Sequence, residues 1–179
     1  MRKVLYIFGL LTDSDVEWIA DVGIQRRLRD GEVVIQEGER PDHLVFLLQG
    51  ELLASTRRLG PIARMGVGEV VGEMSLVDSA PASATITAGG NGLALFLDKT
   101  SLIAKLESDE GFGCRFYRAL AVFLADRLRD ARRGSTDLTM DEKAISDDEL
   151  DGGILDRVAA AGERFSRMLR ILSQGKVRA

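Results

Sequence analysis

The 179-residue sequence holds one cysteine, Cys114, and one histidine, His43. A lone thiol cannot close an internal disulfide, so a reducing compartment is the expected setting. One thiol and one imidazole are also too few soft ligands for a metal cluster. Positive charge is not in surplus: 24 Lys and Arg stand against 28 Asp and Glu, for a net −4. That balance is the reverse of the footprint a dedicated nucleic-acid binder carries. A membrane-spanning run is missing as well. Val4–Leu11 follows the basic start Met1-Arg2-Lys3 much as in a signal peptide, but Asp13, Asp15 and Glu17 come at once and no small-residue cleavage site follows. Eight residues also fall far short of the roughly 20 that cross a bilayer. The run reads as a short helix or extended arm on a cytoplasmic protein that has no membrane partner. No internal repeat and no low-complexity tract occurs.

What is present changes character along the chain. Thr12-Asp13-Ser14-Asp15 offers an N-cap and an acidic first turn to a short amphipathic helix carrying Val16, Trp18, Ile19 and Val22, stopped by Gly23. From Ile24 to Leu97, short Val/Ile/Leu-rich runs alternate with glycine turns, which predicts strands at Ile24–Leu28, Val33–Gln36, His43–Leu48, Glu51–Thr56, Ile62–Met65, Ala84–Ala88 and Leu93–Leu97. So many short strands suit a two-sheet jelly roll. Helical spacing returns with Thr100, Leu102, Ile103 and Leu106, then with a longer helix over Gly113–Arg133, ended by Gly134-Ser135-Thr136. Seven acids against Lys143 make Asp137–Asp151 a solvated linker. A last helix, Ile154–Leu172, sets Leu155, Val158, Gly162, Phe165, Leu169 and Leu172 in a narrow stripe suited to a helix–helix seam.

The fold class is therefore mainly β with flanking α: a double-stranded β-helix (jelly-roll) barrel plus C-terminal helices. The expected organisation is an N-terminal helical arm over 1–23, the barrel over 24–97, barrel-associated helices over 98–134, an acidic linker over 135–152 and an amphipathic helix over 153–179.

The most informative stretch is GVGEVVGEMSLVDSAPASATI, Gly66 to Ile86. Gly66, Gly68 and Gly72 permit unusual φ and close backbone approach. Gly72-Glu73-Met74-Ser75-Leu76 can form one helical turn whose N–H groups suit an anion. Glu73 places a carboxylate beside it that can accept hydrogen bonds from sugar hydroxyls. Pro81 sets the chain before Ser83-Ala84-Thr85 re-enters a strand and turns hydroxyls and N–H groups to the same concavity. The bland alternative is ordinary turn chemistry, with Glu73 capping backbone N–H groups and Ser83 and Thr85 as plain strand residues.

This stretch resembles the phosphate-binding cassette of the cyclic-nucleotide-binding domain family, the barrel of cyclic-AMP-receptor-like proteins. The resemblance extends upstream through Leu28–Glu39 and Asp42–Leu52 and covers roughly residues 10–130. Several glycine-anchored segments in order are far more specific than one motif. The resemblance implies that Glu73 binds a ribose 2′-hydroxyl and that the turn at Gly72 holds a cyclic phosphate. The candidate ligand residues are Gly72, Glu73, Met74, Ser75, Ala82, Ser83, Ala84 and Thr85. An arginine in the family follows the proline and pairs with the phosphate; here Ala82 stands there. A guanidinium fork cannot be replaced by a methyl, so a cyclic nucleotide is expected to bind weakly unless Arg57, Arg58 or Arg64 substitutes in space.

Outside the cassette the residues read plainly. His43 is a surface or hydrogen-bonded histidine, Cys114 an inert thiol on an apolar helix. Arg115, Arg118, Arg127, Arg129, Arg132 and Arg133 form a solvated face with Asp126 and Asp130 as partners. No nucleophile, base and orienting group recur together, so no catalytic residue, metal or cofactor is expected. Two functions compete: a sensor or regulatory module of cyclic-nucleotide-binding type whose ligand binding is weakened at Ala82, and an interaction or dimerisation module that has lost its ligand. A DNA-binding regulator is set aside, because the 45 residues after Gly134 carry an acidic linker and one helix, with no second helix for a helix-turn-helix. The resemblance implies a homodimer through the Gly113–Arg133 helix, and the Leu155–Leu172 helix offers a seam for its own barrel or a protein partner.

Overall fold

The computed structural model describes residues 4–78, 80–136 and 152–174. Two helices open the chain, α1 (Val4–Leu10) and α2 (Asp13–Val22). α2 starts on a reciprocal cap: Thr12 Oγ1 accepts from the Asp15 N–H at 3.3 Å, and the Asp15 carboxylate accepts from the Thr12 N–H at 2.7 Å. It ends at Gly23, where a Cβ would lie 2.6 Å from Leu95 and 2.8 Å from the Ile19 carbonyl oxygen, so the close crossing of helix on sheet requires glycine.

Eight strands follow: β1 (Ile24–Leu28), β2 (Val33–Ile35), β3 (His43–Gln49), β4 (Leu52–Thr56), β5 (Gly60–Met65), β6 (Val70–Val71), β7 (Thr85–Ala88) and β8 (Gly92–Asp98), with the single turn α3 (Met74–Val77) between β6 and β7. They form two antiparallel four-stranded sheets, ordered β1-β8-β3-β6 and β2-β7-β4-β5, the jelly roll that the strand spacing predicts. The first sheet is the middle layer. On β3, Leu44, Phe46 and Leu48 face the helices, while Val45 and Leu47 face the second sheet. Both faces are covered, which is why this strand reads as a continuous apolar run instead of an alternating one.

The outer layer is helical: α4 (Lys99–Ser108), α5 (Glu110–Thr136) and α6 (Gly152–Gln174). Phe112, Phe116, Ala119, Leu120 and Phe123 of α5 join Ile7, Phe8 and Leu11 near α1, and Ala161, Met168 and Leu172 of α6, in one core. α6 packs on α1 and α2 of its own chain. Arg164 and Arg167 pair with Asp13 at 2.9 and 2.7 Å, Arg167 reaches Glu17 at 2.9 Å, and the Phe8 and Phe165 rings lie 5.8 Å apart.

The N-terminal apolar run is helical, one of its two expected forms. Several other expectations need correction. β7 begins at Thr85, one residue later than expected. The two-residue β6 is too short to show a period in sequence. α5 runs through Gly134-Ser135-Thr136 to the end of that triplet; one glycine costs a helix only about 1 kcal/mol. Phe116, Leu120 and Phe123 of α5 are buried within the chain. The acidic linker and the side chains of Leu155 and Val158 lie outside the described residues.

Candidate functional site

The cassette is assembled where β6 turns into α3. Gly72 has φ +86°, and a Cβ there would meet the His43 carbonyl oxygen at 2.6 Å, so glycine is required twice over. The turn closes through Leu76 N–H to Glu73 O at 3.1 Å and the Ser75 hydroxyl to Gly72 O at 3.2 Å. Met74 stands half exposed at its rim.

The second half of the cassette lies against the β2–β3 loop. The Ala82 N–H donates to Glu39 O at 2.8 Å and the Gly38 N–H donates to Ala82 O at 2.9 Å. Thr85 Oγ1 accepts from the Glu37 N–H and from Gln36 Nε2, both at 3.1 Å. Ala82 and Ala84 pack half-buried on the cluster between the sheets. The Ser83 hydroxyl faces Met74 Sδ at 3.8 Å, so the two halves of the cassette meet. The structure thus brings Glu73, Met74, Ser75 and Ser83 to one place and ties Thr85 to β2.

Glu73 is 2% exposed, and Arg127 of α5 holds it through Nη1 on Oε1. The same guanidinium lies 3.9 Å from Glu69, 2.9 Å from Met65 Sδ and 5.1 Å from the Phe123 ring centre. Lys99 reaches in from the start of α4 to donate to the Ser75 hydroxyl. Burial pushes the Glu73 carboxyl above its ordinary value, Arg127 pulls against that, and Glu69 adds to the rise. Burial likewise pulls the Lys99 ammonium down, opposed by Glu73 and Asp42.

Lys99 and Glu69 were not singled out by the sequence reading, which set Arg127 on a solvated arginine face, and that face needs correction. Arg115 forks onto buried Asp15 at 2.7 and 2.9 Å, and Arg127 enters the cassette. The signal was available: Arg127 continues the 4-3-4 spacing of Phe116, Leu120 and Phe123, on the face that is buried. Of the substitutes named for the missing arginine, Arg57 is held by Glu37, the residue whose N–H bonds to Thr85, and Arg64 by Glu51 at the surface. His43 turns inward, edge-on to Phe96 at 6.0 Å between ring centres. Cys114 is exposed on α5. Among the described residues no group of three His, Cys, Asp or Glu could hold a metal, and no helix is long and apolar enough to cross a membrane.

This geometry has known relatives. Residues 25–109 match the family described as the cyclic nucleotide-binding domain. Over 81 residues the chain is 32% identical to a cGMP-dependent protein kinase of Eimeria tenella, which covers 45% of this chain and 8% of that one. A second such kinase, of Plasmodium berghei, is 27% identical over 108 residues, covering 59% of this chain and 12% of that one. The chain therefore spans a small part of these relatives. Among solved structures, a cyclic nucleotide-binding domain from Methylobacillus flagellatus superposes with a TM-score of 0.66 at 21% identity, covering 78% of this chain and 85% of that one. The catabolite activator protein of Thermus thermophilus does so with a TM-score of 0.59 at 22% identity, covering 94% and 87%. These likenesses carry the fold.

Proposed function

We infer that the chain is a non-catalytic regulatory module in which a small ligand at the cassette is sensed by the helical layer. One observation carries this reading: the buried Glu73 carboxylate of the cassette turn is bonded directly to Arg127 of the long helix α5. A ligand hydroxyl that accepts a place at Glu73 competes for, or adds to, the same carboxylate. It thereby alters the anchoring of α5, which is a two-state element biased by ligand.

The readout surface that fits this arrangement is α5 itself. Cys114, Tyr117, Ala121 and Leu128 are exposed and Leu124 half-buried, spaced 3, 4, 3 and 4 residues apart. That is the seam spacing of a two-helix coiled coil, and a two-fold partner presents the same stripe to it. The proposed partner is a second copy of this chain, joined on this stripe and not through Leu120 and Phe123.

Native mass spectrometry of gently purified protein tests both parts. A co-purifying small molecule and a dimer mass are expected. A bare monomer that also takes up none of a panel of nucleosides and cyclic nucleotides would favour the competing reading, a module whose cassette serves structure alone.

A further inference from the structure

Resting on the reading of the cassette as a ligand pocket, we propose that it takes an uncharged, diol-bearing ring of the nucleoside class in preference to a phosphate-bearing one. The argument is a charge count. Four buried or half-buried charged side chains surround the cassette turn: Glu69, Glu73, Lys99 and Arg127. They sum to zero, and both cations are already engaged. Arg127 lies between Glu73, Glu69 and Met65, and Lys99 donates to Ser75. An anion entering here leaves a net negative cluster in a desolvated place, with the Arg127 guanidinium and the Lys99 ammonium both already held.

The second half of the cassette adds no charge and few donors. Ala82 has a methyl side chain, and its N–H and carbonyl are both taken by Glu39 and Gly38. The Thr85 hydroxyl already accepts two hydrogen bonds. What the cassette does offer is the half-buried methyls of Ala82 and Ala84, the Ser83 hydroxyl with only a sulfur at 3.8 Å, and one buried carboxylate. A carboxylate is an acceptor suited to a pair of hydroxyls, and half-buried alanines suit the face of a flat ring. Hydroxyls at one edge, an apolar body and no charge describe a nucleoside.

The test is calorimetry on the full chain with adenosine and guanosine beside their 3′,5′-cyclic monophosphates, repeated on Ala82→Arg. Wild type is expected to bind a nucleoside at least tenfold more tightly than its cyclic monophosphate, and Ala82→Arg to move that ratio tenfold or more toward the phosphate. A cyclic monophosphate that binds wild type as well as or better than its nucleoside overturns the proposal and leaves the pocket reading standing. Binding of neither class to wild type overturns it too. If Ala82→Arg then gains the cyclic monophosphate the pocket reading survives; if it gains nothing, that reading falls as well.

Discussion

Replacing Arg127 with alanine leaves Glu73 buried beside Glu69 without its partner, and the cost can be worked from the structure. Breaking a buried ion pair by removing one member costs about 3–5 kcal/mol. Arg127 is 27% exposed, so the lower end applies, about 3 kcal/mol. For a chain of this size each kcal/mol moves the melting temperature about 2–4 °C, giving a fall of roughly 6–12 °C near neutral pH. The pH dependence carries a definite sign. Burial already raises Glu73 above its ordinary value of 4.5, so the folded chain holds that proton more tightly than the unfolded one. Its contribution is therefore fully present below the ordinary value and lost as pH rises through the folded one. Without Arg127 the folded value rises further, so the deficit of the variant grows as pH rises above the ordinary value. Adding Glu73→Gln removes the orphaned charge and should restore at least about half of the loss. Thermal unfolding followed by circular dichroism reads all three proteins. A loss under about 1 kcal/mol at pH 8, or a larger deficit at pH 5 than at pH 8, would refute the reasoning.

Three further outcomes are expected. Asp15→Ala removes the Arg115 fork and the carboxylate half of the α2 capping box together, at a cost of about 2–4 kcal/mol by denaturant unfolding. Burial pushes Asp15 up, but Arg115 and Thr12 outweigh it and hold the carboxyl low; its contribution is present above the ordinary 3.8 and fades as pH falls through the folded value, so the variant should lose less on acidification than wild type. Gly72→Ala forces a Cβ against the His43 carbonyl at positive φ, and should cost about 2 kcal/mol or more and abolish ligand binding in the same calorimetric titration. Tyr117→Glu with Leu128→Glu should convert a dimer to a folded monomer by sedimentation, while Leu120→Glu, buried in its own chain, should unfold it; a bismaleimide joining Cys114 of two copies should cross-link wild type only. Monomeric wild type at tens of micromolar would remove the dimer.

The barrel was legible because its punctuation is local. Asp30-Gly31, Glu37-Gly38 and Gln49-Gly50 sit at turns where the structure shows φ of +75°, +85° and +89°, and the strand bounds between them follow within a residue or two. α6 showed its packing face through Phe165, Leu169 and Leu172, but not whose groove it fills, since that depends on Asp13 and Glu17 some 150 residues away. The cassette was half legible. Gly72 and Glu73 announced themselves by spacing, whereas Arg127 is 54 residues from Glu73 and sits among arginines that differ only in where the helix turns them. Nor does the sequence show that Ala82 spends its backbone on the β2–β3 loop. Side chains that meet across the fold leave no local pattern to read.

The central claim is that occupancy of the cassette is felt by α5 through Glu73 and Arg127. Hydrogen–deuterium exchange over 110–129, with and without saturating adenosine or guanosine, tests it most directly, in wild type and in Arg127→Gln. Ligand should change amide protection in wild-type α5, and the change should be lost or at least halved in Arg127→Gln while protection at 72–85 persists. An α5 that exchanges identically with and without bound ligand in wild type would contradict the account.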